Sequence, residues 1–264
     1  MPAAENSLDG RVAIVTGASS GIGASLVQQL VQAGVRCIGV GRRADRLQAL
    51  GETLREGYFQ ALSLDVREEK TPDEILHAIP QGWNAPDILI NNAGLALGTA
   101  PAPQCSLDEW LTMIDTNVTS LVRLTHRLLP TLIAAPRADI MNLSSVAASY
   151  PYPGGNTYGA TKAFVRQFSL GLKADLLGTN VRVTSVEPGM VDTEFSTVRF
   201  AGDSAKAQKV YEGMQPLTSS DIAETIVGIL SLPSHVSVNT IEIMPTSQAF
   251  GPFAVHRESD ASVS

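Results

Sequence analysis

Cysteine is almost absent. Cys37 and Cys105 stand apart with no motif spacing, which argues against a disulfide framework or a structural zinc and fits small core or loop residues in a reducing compartment. Histidine is equally sparse. His77, His126, His235 and His256 are scattered, without the paired spacing of metal ligands, so no metal is expected. Basic residues are in the minority, 19 against 26 acidic ones, and the net charge of −7 argues against the basic surface that nucleic-acid binding requires. No apolar run reaches the ~20 residues that span a bilayer. The stretch Met1 to Gly10 lacks a charged-then-apolar secretion pattern. Internal repeats and low-complexity tracts are also missing. The polar residues 257–264, like residues 1–8, are expected to be flexible.

What remains is a chain of 264 residues that is 44% hydrophobic, enough to bury the core of one large α/β domain. Arg11 to Thr16 reads as a buried strand. It runs into Gly17-Ala-Ser-Ser-Gly21-Ile-Gly23, and an apolar-periodic helix follows from about Ala24 to Ala33. Strand, glycine turn and helix are the context of a dinucleotide site, where bare backbone approaches a pyrophosphate at a helix N-terminus. The same residues fit Gly-x-Ser-x-Gly, the nucleophile elbow of hydrolases. Too little chain precedes the strand to build an oxyanion hole, and neither Asp192 nor His256 lies in a recognisable partner motif.

The second strand, Val35 to Val40, ends in Gly41-Arg42-Arg43. An acid near that point would read the ribose hydroxyls of NAD, whereas two arginines suit the 2′-phosphate of NADP. They sit close to the start of a helix spanning Ala44 to Leu54, where the dipole disfavours cations unless an anion joins them. A third strand, Tyr58 to Leu64, leads to Asp65-Val66. That acid can bracket an adenine edge or cap a helix over Thr71 to Ile79. A fourth strand, Asp87 to Ile90, runs into Asn91-Asn92-Ala93-Gly94, a tight turn suited to a ligand. Ser106 to Leu128 is mostly helical and contains Asn117, a poor interior helix former that bonds backbone locally or faces water. Strands at Ala138 to Leu143, Val181 to Val186 and Val238 to Met244 complete seven. Alternation of this kind predicts an α/β fold, a doubly wound parallel sheet with helices on both faces and ligands at the strands' carboxyl ends. Asn156 is expected to cap one helix, and Ser219-Ser220-Asp221 the last. Between them, Glu187-Pro188-Gly189-Met190 opens an irregular segment, the candidate lid over residues 189–212.

The chemistry centres on Tyr158-Gly-Ala-Thr-Lys162. Tyr and Lys four apart share a helix face. An ammonium near a phenol favours the phenolate, lowering a pKa that starts near ~10 and making Tyr158 a general acid/base.

These motifs jointly resemble the short-chain dehydrogenase/reductase family: Thr16-Gly-Ala-Ser-Ser-Gly-Ile-Gly23, Asn91-Asn-Ala-Gly94, Asn117, Ser145, Tyr158-x-x-x-Lys162 and Pro188-Gly189. They occur in the family's order, with Ser145 thirteen residues before the tyrosine. Further stretches are similar to the NADP-dependent 3-hydroxy acid dehydrogenases: Asn92-Ala-Gly-Leu-Ala-Leu-Gly98, Met113-Ile-Asp-Thr-Asn117, Gly154 to Ser169, Thr193-Glu-Phe-Ser196, Val198-Arg-Phe200 and the tail from Asn239 through Arg257. The chain departs from that group in a lid one residue shorter, Gly189-Met-Val-Asp-Thr-Glu194, and in Asn142-Leu-Ser-Ser145 before the catalytic serine.

The resemblance implies a single Rossmann-type domain over 1–264 in a cytoplasmic homotetramer. It implies NADP(H) bound by Gly17, Ser19, Ser20, Gly21, Ile22, Gly23, Arg42, Arg43, Asp65, Val66, Asn92, Ala93, Gly94, Tyr158, Lys162, Pro188, Gly189, Val191 and Thr193. Asn117, Ser145, Tyr158 and Lys162 would be catalytic, with Asn117 holding a water that links Lys162 to solvent. Ser145 and Tyr158 would also hold the substrate, a small hydroxy acid or carbonyl. A hydroxy acid further needs a cation for its carboxylate, for which Arg199 and then Arg257 are candidates. The alternatives are a reductase of another ketone, aldehyde or 3-oxoacyl thioester, or an NADP sensor without turnover.

Overall fold

A computed structural model describes residues 8–200, 202, 203, 205, 208 and 210–251. Seven parallel strands form the central sheet: β1 (Val12–Thr16), β2 (Arg36–Gly41), β3 (Phe59–Ser63), β4 (Ile88–Asn91), β5 (Ala138–Leu143), β6 (Val181–Pro188) and β9 (Thr240–Ile243). Their spatial order is β3-β2-β1-β4-β5-β6-β9. The inner strands β1, β4, β5 and β6 are buried throughout, as strands covered on both faces must be.

Alternate side chains of each strand feed two separate cores. Ala13 and Val15 of β1 pack with Leu26, Val27 and Leu30 of α1 (Gly21–Gln32), and with Ile222 and Ile226 of α8 (Ser219–Leu230). Val12 and Ile14 face the other way. They join Ile75 of α3 (Thr71–His77), Leu124, Leu128 and Leu132 of α5 (Ser120–Ala134), and Leu172 of α6 (Asn156–Asp175). Helix α2 (Ala44–Glu52) adds Leu47 and Leu50 to the first core. Helix α4 (Leu107–Ile114) reaches α5 through a widened π-turn, Asp115–Thr119.

The chain crosses over after β3, so β1 and β4 are neighbours with connections leaving in opposite directions. Ligands bind at such a switch point in doubly wound sheets.

The first part of the segment expected to be irregular is regular. Val191–Asp192 forms β7, paired in parallel with β8 (Leu217–Thr218), and Glu194–Arg199 forms the short helix α7. Thr193 caps α7 by accepting from the Phe195 N–H at 3.2 Å. Two helix starts also shift. Thr218, not the serines after it, caps α8 in a reciprocal capping box with Asp221. Gly155 precedes α6, and Asn156 is its first residue, accepting from the Thr157 N–H. Leu8 is buried in the first core, so the flexible start expected over 1–8 does not extend to it. Residues 1–7 and the tail 252–264, which includes Arg257, lie outside the described residues. No helix among the described residues is long and apolar enough to cross a membrane.

The amino ends of the strands are tied by charge. Asp139, wholly buried in β5, accepts from Arg11 at 2.8 Å and from Arg182 at 2.6 Å. Arg11 also pairs with Asp87 at 2.8 Å. Arg182 and Arg137 donate onward to the carbonyls of Leu230, the last residue of α8, and of Leu232 just after it. Removing one partner of a buried pair leaves an uncompensated charge. Asp139→Ala should therefore cost about 3–5 kcal/mol, read as a lowered midpoint of chemical unfolding. A midpoint unchanged from the native protein would show that the network is not holding the strands.

Candidate active site

At the switch point, β1 and β4 are clasped by a threonine. The backbone N–H groups of Asn92 and Ala93 donate to Thr16 Oγ1 at 3.0 and 2.9 Å. Asn92 Nδ2 returns a bond to the Thr16 carbonyl at 2.8 Å. Asn92 therefore uses its amide inside the protein, fixing the glycine turn rather than reaching outward. Gly17 has φ +68°, and a Cβ there would stand 2.8 Å from Asn92 Nδ2. A Cβ at Gly23 would collide with the Gly17 carbonyl. Only glycine permits so close a turn at the start of α1, and the bare backbone it leaves fits the cradle a dinucleotide pyrophosphate needs.

Ser19, Ser20, Gly21 and Ile22 continue this turn, and Thr193 arches over it, its side chain 3.6 Å from a Cβ position on Gly21. Val191 packs beside it on the first core. Arg43 lies along the turn. Its guanidinium donates to Ser19 Oγ at 3.2 Å and to Ser20 Oγ at 2.5 Å. Arg42 is exposed beside it. Asp65 caps no helix with its side chain. It accepts from Arg67, whose hydrogen bonds hold its carboxyl below the ordinary range, while Thr71 Oγ1 bonds its carbonyl at 2.7 Å. Val66 packs on the second core.

The second half of the cleft rests on α6. Tyr158, Lys162, Ser145 and Asn117 are all buried and close together. Lys162 Nζ donates to the Leu143 carbonyl at the end of β5 at 2.7 Å. Ser144 Oγ bonds the Lys162 carbonyl at 2.8 Å, locking helix to strand. Ser145 Oγ accepts from the Ala147 N–H at 3.1 Å and bonds the Pro188 carbonyl, where β6 passes into Gly189. Asn117 sits in the π-turn. Its Oδ1 accepts from the Leu95 N–H at 2.9 Å, and its Nδ2 donates to the Leu95 carbonyl at 2.9 Å and to Thr161 Oγ1 at 3.0 Å. Gly94 lies against both groups, with a Cβ position 3.2 Å from Lys162 Nζ and 3.3 Å from Asn117 Oδ1. The helical spacing gave no hint of Thr16, Thr161 or Ser144. They hold other site residues rather than presenting chemistry of their own.

The electrostatics differ from the sequence expectation. Burial pushes the Tyr158 phenol up to about 12, against smaller opposing pulls from the Ser145 hydrogen bond and the Arg199 charge. Burial also brings the Lys162 ammonium down to about 8. Lys162 Nζ is 5.8 Å from the Tyr158 ring centroid and bonded to a carbonyl. Desolvation disfavours both charged forms, and it is the largest cause of each shift. Tyr158 thus holds its proton at neutral pH, ready to donate it.

Arg199, at the end of α7, stands with its guanidinium 5.1 Å from the centre of the Tyr152 ring. Its Nε is buried with no hydrogen-bond partner among the described residues. Phe195 of the same helix packs on Tyr158, ring centres 5.5 Å apart. Helix α7 therefore brings an apolar ring and a cation to the phenol.

The family model for short chain dehydrogenases matches residues 11–203. The chain is 52% identical over 246 residues to a serine 3-dehydrogenase of Agrobacterium fabrum, covering 93% of this chain and 98% of that one. It is 49% identical over 247 residues to an NADP-dependent 3-hydroxy acid dehydrogenase of Salmonella typhi, covering 93% and 99%. Among solved structures, the closed form of serine dehydrogenase complexed with NADP+ superposes with a TM-score of 0.91 at 47% identity, covering 94% of this chain and all of that one.

Burial pushes the phenol up, whereas the sequence expectation has Lys162 drawing it down, so a titration decides between them. At pH 10 an ordinary tyrosine is half ionised. The tyrosinate absorbance of the ligand-free protein minus that of Tyr158→Phe should be close to nil at that pH. A half-ionised signal would mean that the Lys162 charge offsets burial after all.

Proposed function

The chain belongs to the short-chain dehydrogenase family, and from that premise we propose that it is an NADP-dependent oxidoreductase interconverting a small 3-hydroxy acid, or 3-hydroxy amino acid, and its carbonyl counterpart. The observation that carries the reading is the meeting of two features in one cleft. A buried Ser145–Tyr158–Lys162 set lies at the carboxyl end of β5, and a lid arginine whose buried Nε–H has no partner among the described residues approaches the same phenol. The identities of about 50% to relatives named for serine and for 3-hydroxy acids support the substrate class.

NADP(H), when bound, supplies the hydride chemistry. Gly17, Gly21 and Gly23 leave the backbone bare for its phosphates. Ser19, Ser20, Ile22, Asn92, Ala93, Gly94, Pro188, Gly189, Val191 and Thr193 shape the groove, with Asp65 and Val66 at its adenine end. Arg42 and Arg43 take the 2′-phosphate, a recognition suited to the guanidinium fork.

The Ser145 hydroxyl holds the substrate oxygen, where charge develops during the reaction. Tyr158 gives its proton to that oxygen in reduction; in oxidation it must first lose that proton to solvent, and as phenolate then takes one from the alcohol. Lys162, its ammonium lowered to about 8 by burial and still mostly protonated at pH 7, passes protons behind it and orients the nicotinamide ribose. Asn117 fixes the wall against which Lys162 lies. Both of its Nδ2 protons are already bonded, so a relay water finds only Oδ1 or the main chain.

Arg199 takes the substrate carboxylate. An unsatisfied buried N–H costs about 1–3 kcal/mol, which a bound carboxylate would relieve. Residues 189–212 act as the lid, since α7 carries both Phe195 and Arg199 to the cleft.

A cytoplasmic homotetramer is the assembly we favour. Leu107, Leu111 and Ile114 of α4 and Phe164 of α6 expose apolar surface that suits self-association. The net charge of −7 speaks against a nucleic-acid partner.

With NADPH, the protein should reduce 3-oxo acids, and with NADP+ it should oxidise L-serine, L-allo-threonine or 3-hydroxypropionate, followed by cofactor absorbance. Tyr158→Phe should lose on the order of 10²–10⁴-fold in kcat while still binding NADPH. Turnover of neutral alcohols alone would keep the dehydrogenase and discard the acid substrate class in favour of another ketone, aldehyde or thioester. Arg199→Ala should raise KM for hydroxy acids and leave KM for neutral alcohols unchanged. An equal rise for both would remove Arg199 from the carboxylate's side.

A further inference from the structure

One contact joins the two halves of the cleft over a long sequence distance. Glu194, the first residue of α7, receives Arg43 Nη1 at 2.9 Å and Arg46 Nη1 at 2.5 Å, one arginine on each carboxylate oxygen. Arg43 simultaneously donates through Nη2 and Nε to Ser19 and Ser20 of the glycine turn. A single guanidinium therefore touches the dinucleotide cradle on one side and the lid on the other. Both hydrogen bonds favour the charged Glu194 and hold its carboxyl below the ordinary range. Glu194 makes no contact with Tyr158 or Ser145, so general acid/base chemistry gives it no role.

We propose that Glu194 is a positioning residue: it fastens the lid helix to Arg43 and Arg46, so that the lid is held closed most firmly when a 2′-phosphate has already fixed Arg43. This rests on the reading that NADP(H) is the cofactor.

The physical argument turns on why such pairs are weak. Arg43, Arg46 and Glu194 are 39%, 43% and 46% exposed. At that exposure the Coulomb gain is screened, and much of it is lost in immobilising long side chains. A dianion bound beside Arg42 and Arg43 freezes the Arg43 side chain for its own contacts. Glu194 then meets a guanidinium already in place, and closing the lid costs less side-chain entropy. Coupling of this kind is reciprocal, so a closed lid also holds the phosphate more tightly. NAD has no 2′-phosphate to begin the sequence. Discrimination between the cofactors would then reach the lid, and through Phe195 and Arg199 the reacting end, as well as the binding step.

The test uses adenosine 2′,5′-bisphosphate and AMP as probes, with amide hydrogen exchange read over Glu194–Arg199 and affinity by calorimetry. In the native protein the bisphosphate should slow exchange in α7 on the order of 2- to 10-fold, the range two exposed ion pairs supply, and AMP should not. In Glu194→Gln, which keeps the side chain's shape, the bisphosphate should still bind in preference to AMP but no longer protect α7. Arg46→Gln should lose part of the protection. Equal protection of α7 in Glu194→Gln, with the preference for the bisphosphate intact, overturns this inference alone. Equal affinity for AMP and the bisphosphate in the native protein overturns the NADP reading and this inference with it.

Discussion

The cleft depends on the clasp between Thr16 and the turn after β4. A parallel sheet with a topological switch leaves a gap between the diverging connections of β1 and β4, and something must set its width. Thr16 Oγ1 accepts two successive backbone N–H groups, and the Asn92 amide closes the loop on the Thr16 carbonyl. The glycine turn is thereby fixed relative to Gly94, and Gly94 relative to Lys162 and Asn117. Cradle and acid/base residues lie on opposite sides of this one joint. Had Asn92 reached outward for a ligand, the turn would lack the brace that holds its backbone ready, and a ligand would have to supply the ordering.

The tyrosine and lysine illustrate a conflict between two valid rules. Spacing on a helix puts them on one face, and opposite polarity would normally draw the phenol's pKa down. Yet both side chains are buried, and Lys162 Nζ is directed at the Leu143 carbonyl. A carbonyl holds an amine by a hydrogen bond whether or not the amine is charged. Burial then decides, raising one group and lowering the other. Such a pair exchanges a proton with a substrate without ever holding a strongly solvated ion. That suits a site through which hydride and proton pass in both directions.

The regular fold was legible in the sequence because its signals are local. Seven apolar runs gave seven strands, and Gly17, Gly21 and Gly23 declared their turn because no other residue fits there. The segment proposed as a lid was less legible. Strands β7 and β8 are two residues each and exist only because they pair with one another. Helix α7 has six residues, too few for a periodic pattern to register. Asn117 was recognisable as an odd helical residue, but the π-turn that turns its amide toward Leu95 and Thr161 depends on packing against α6. The Glu194 contact was invisible for another reason. It joins residues 151 positions apart, and nothing at either end marks the other as its partner. Legibility thus fell as contacts became non-local and as elements became shorter than their own period.

The two ends of the sheet use charge in opposite ways. At the amino end Asp139 has no exposure, and Arg182 carries on to the backbone at the end of α8. Pairs so buried are costly to break once formed, so they suit a part of the molecule with no need to move. At the carboxyl end the pairs between Glu194 and its arginines are open to water, where each is worth about 0–1 kcal/mol. A stronger link there would hold the lid shut against substrate entry and product release, and a purely apolar one would not sense a phosphate. An exposed carboxylate shared by two arginines satisfies both demands, weak enough to open and charged enough to respond to the ligand beneath it. Carboxylate and guanidinium thus serve rigidity at one end and reversibility at the other, and solvent exposure separates the roles.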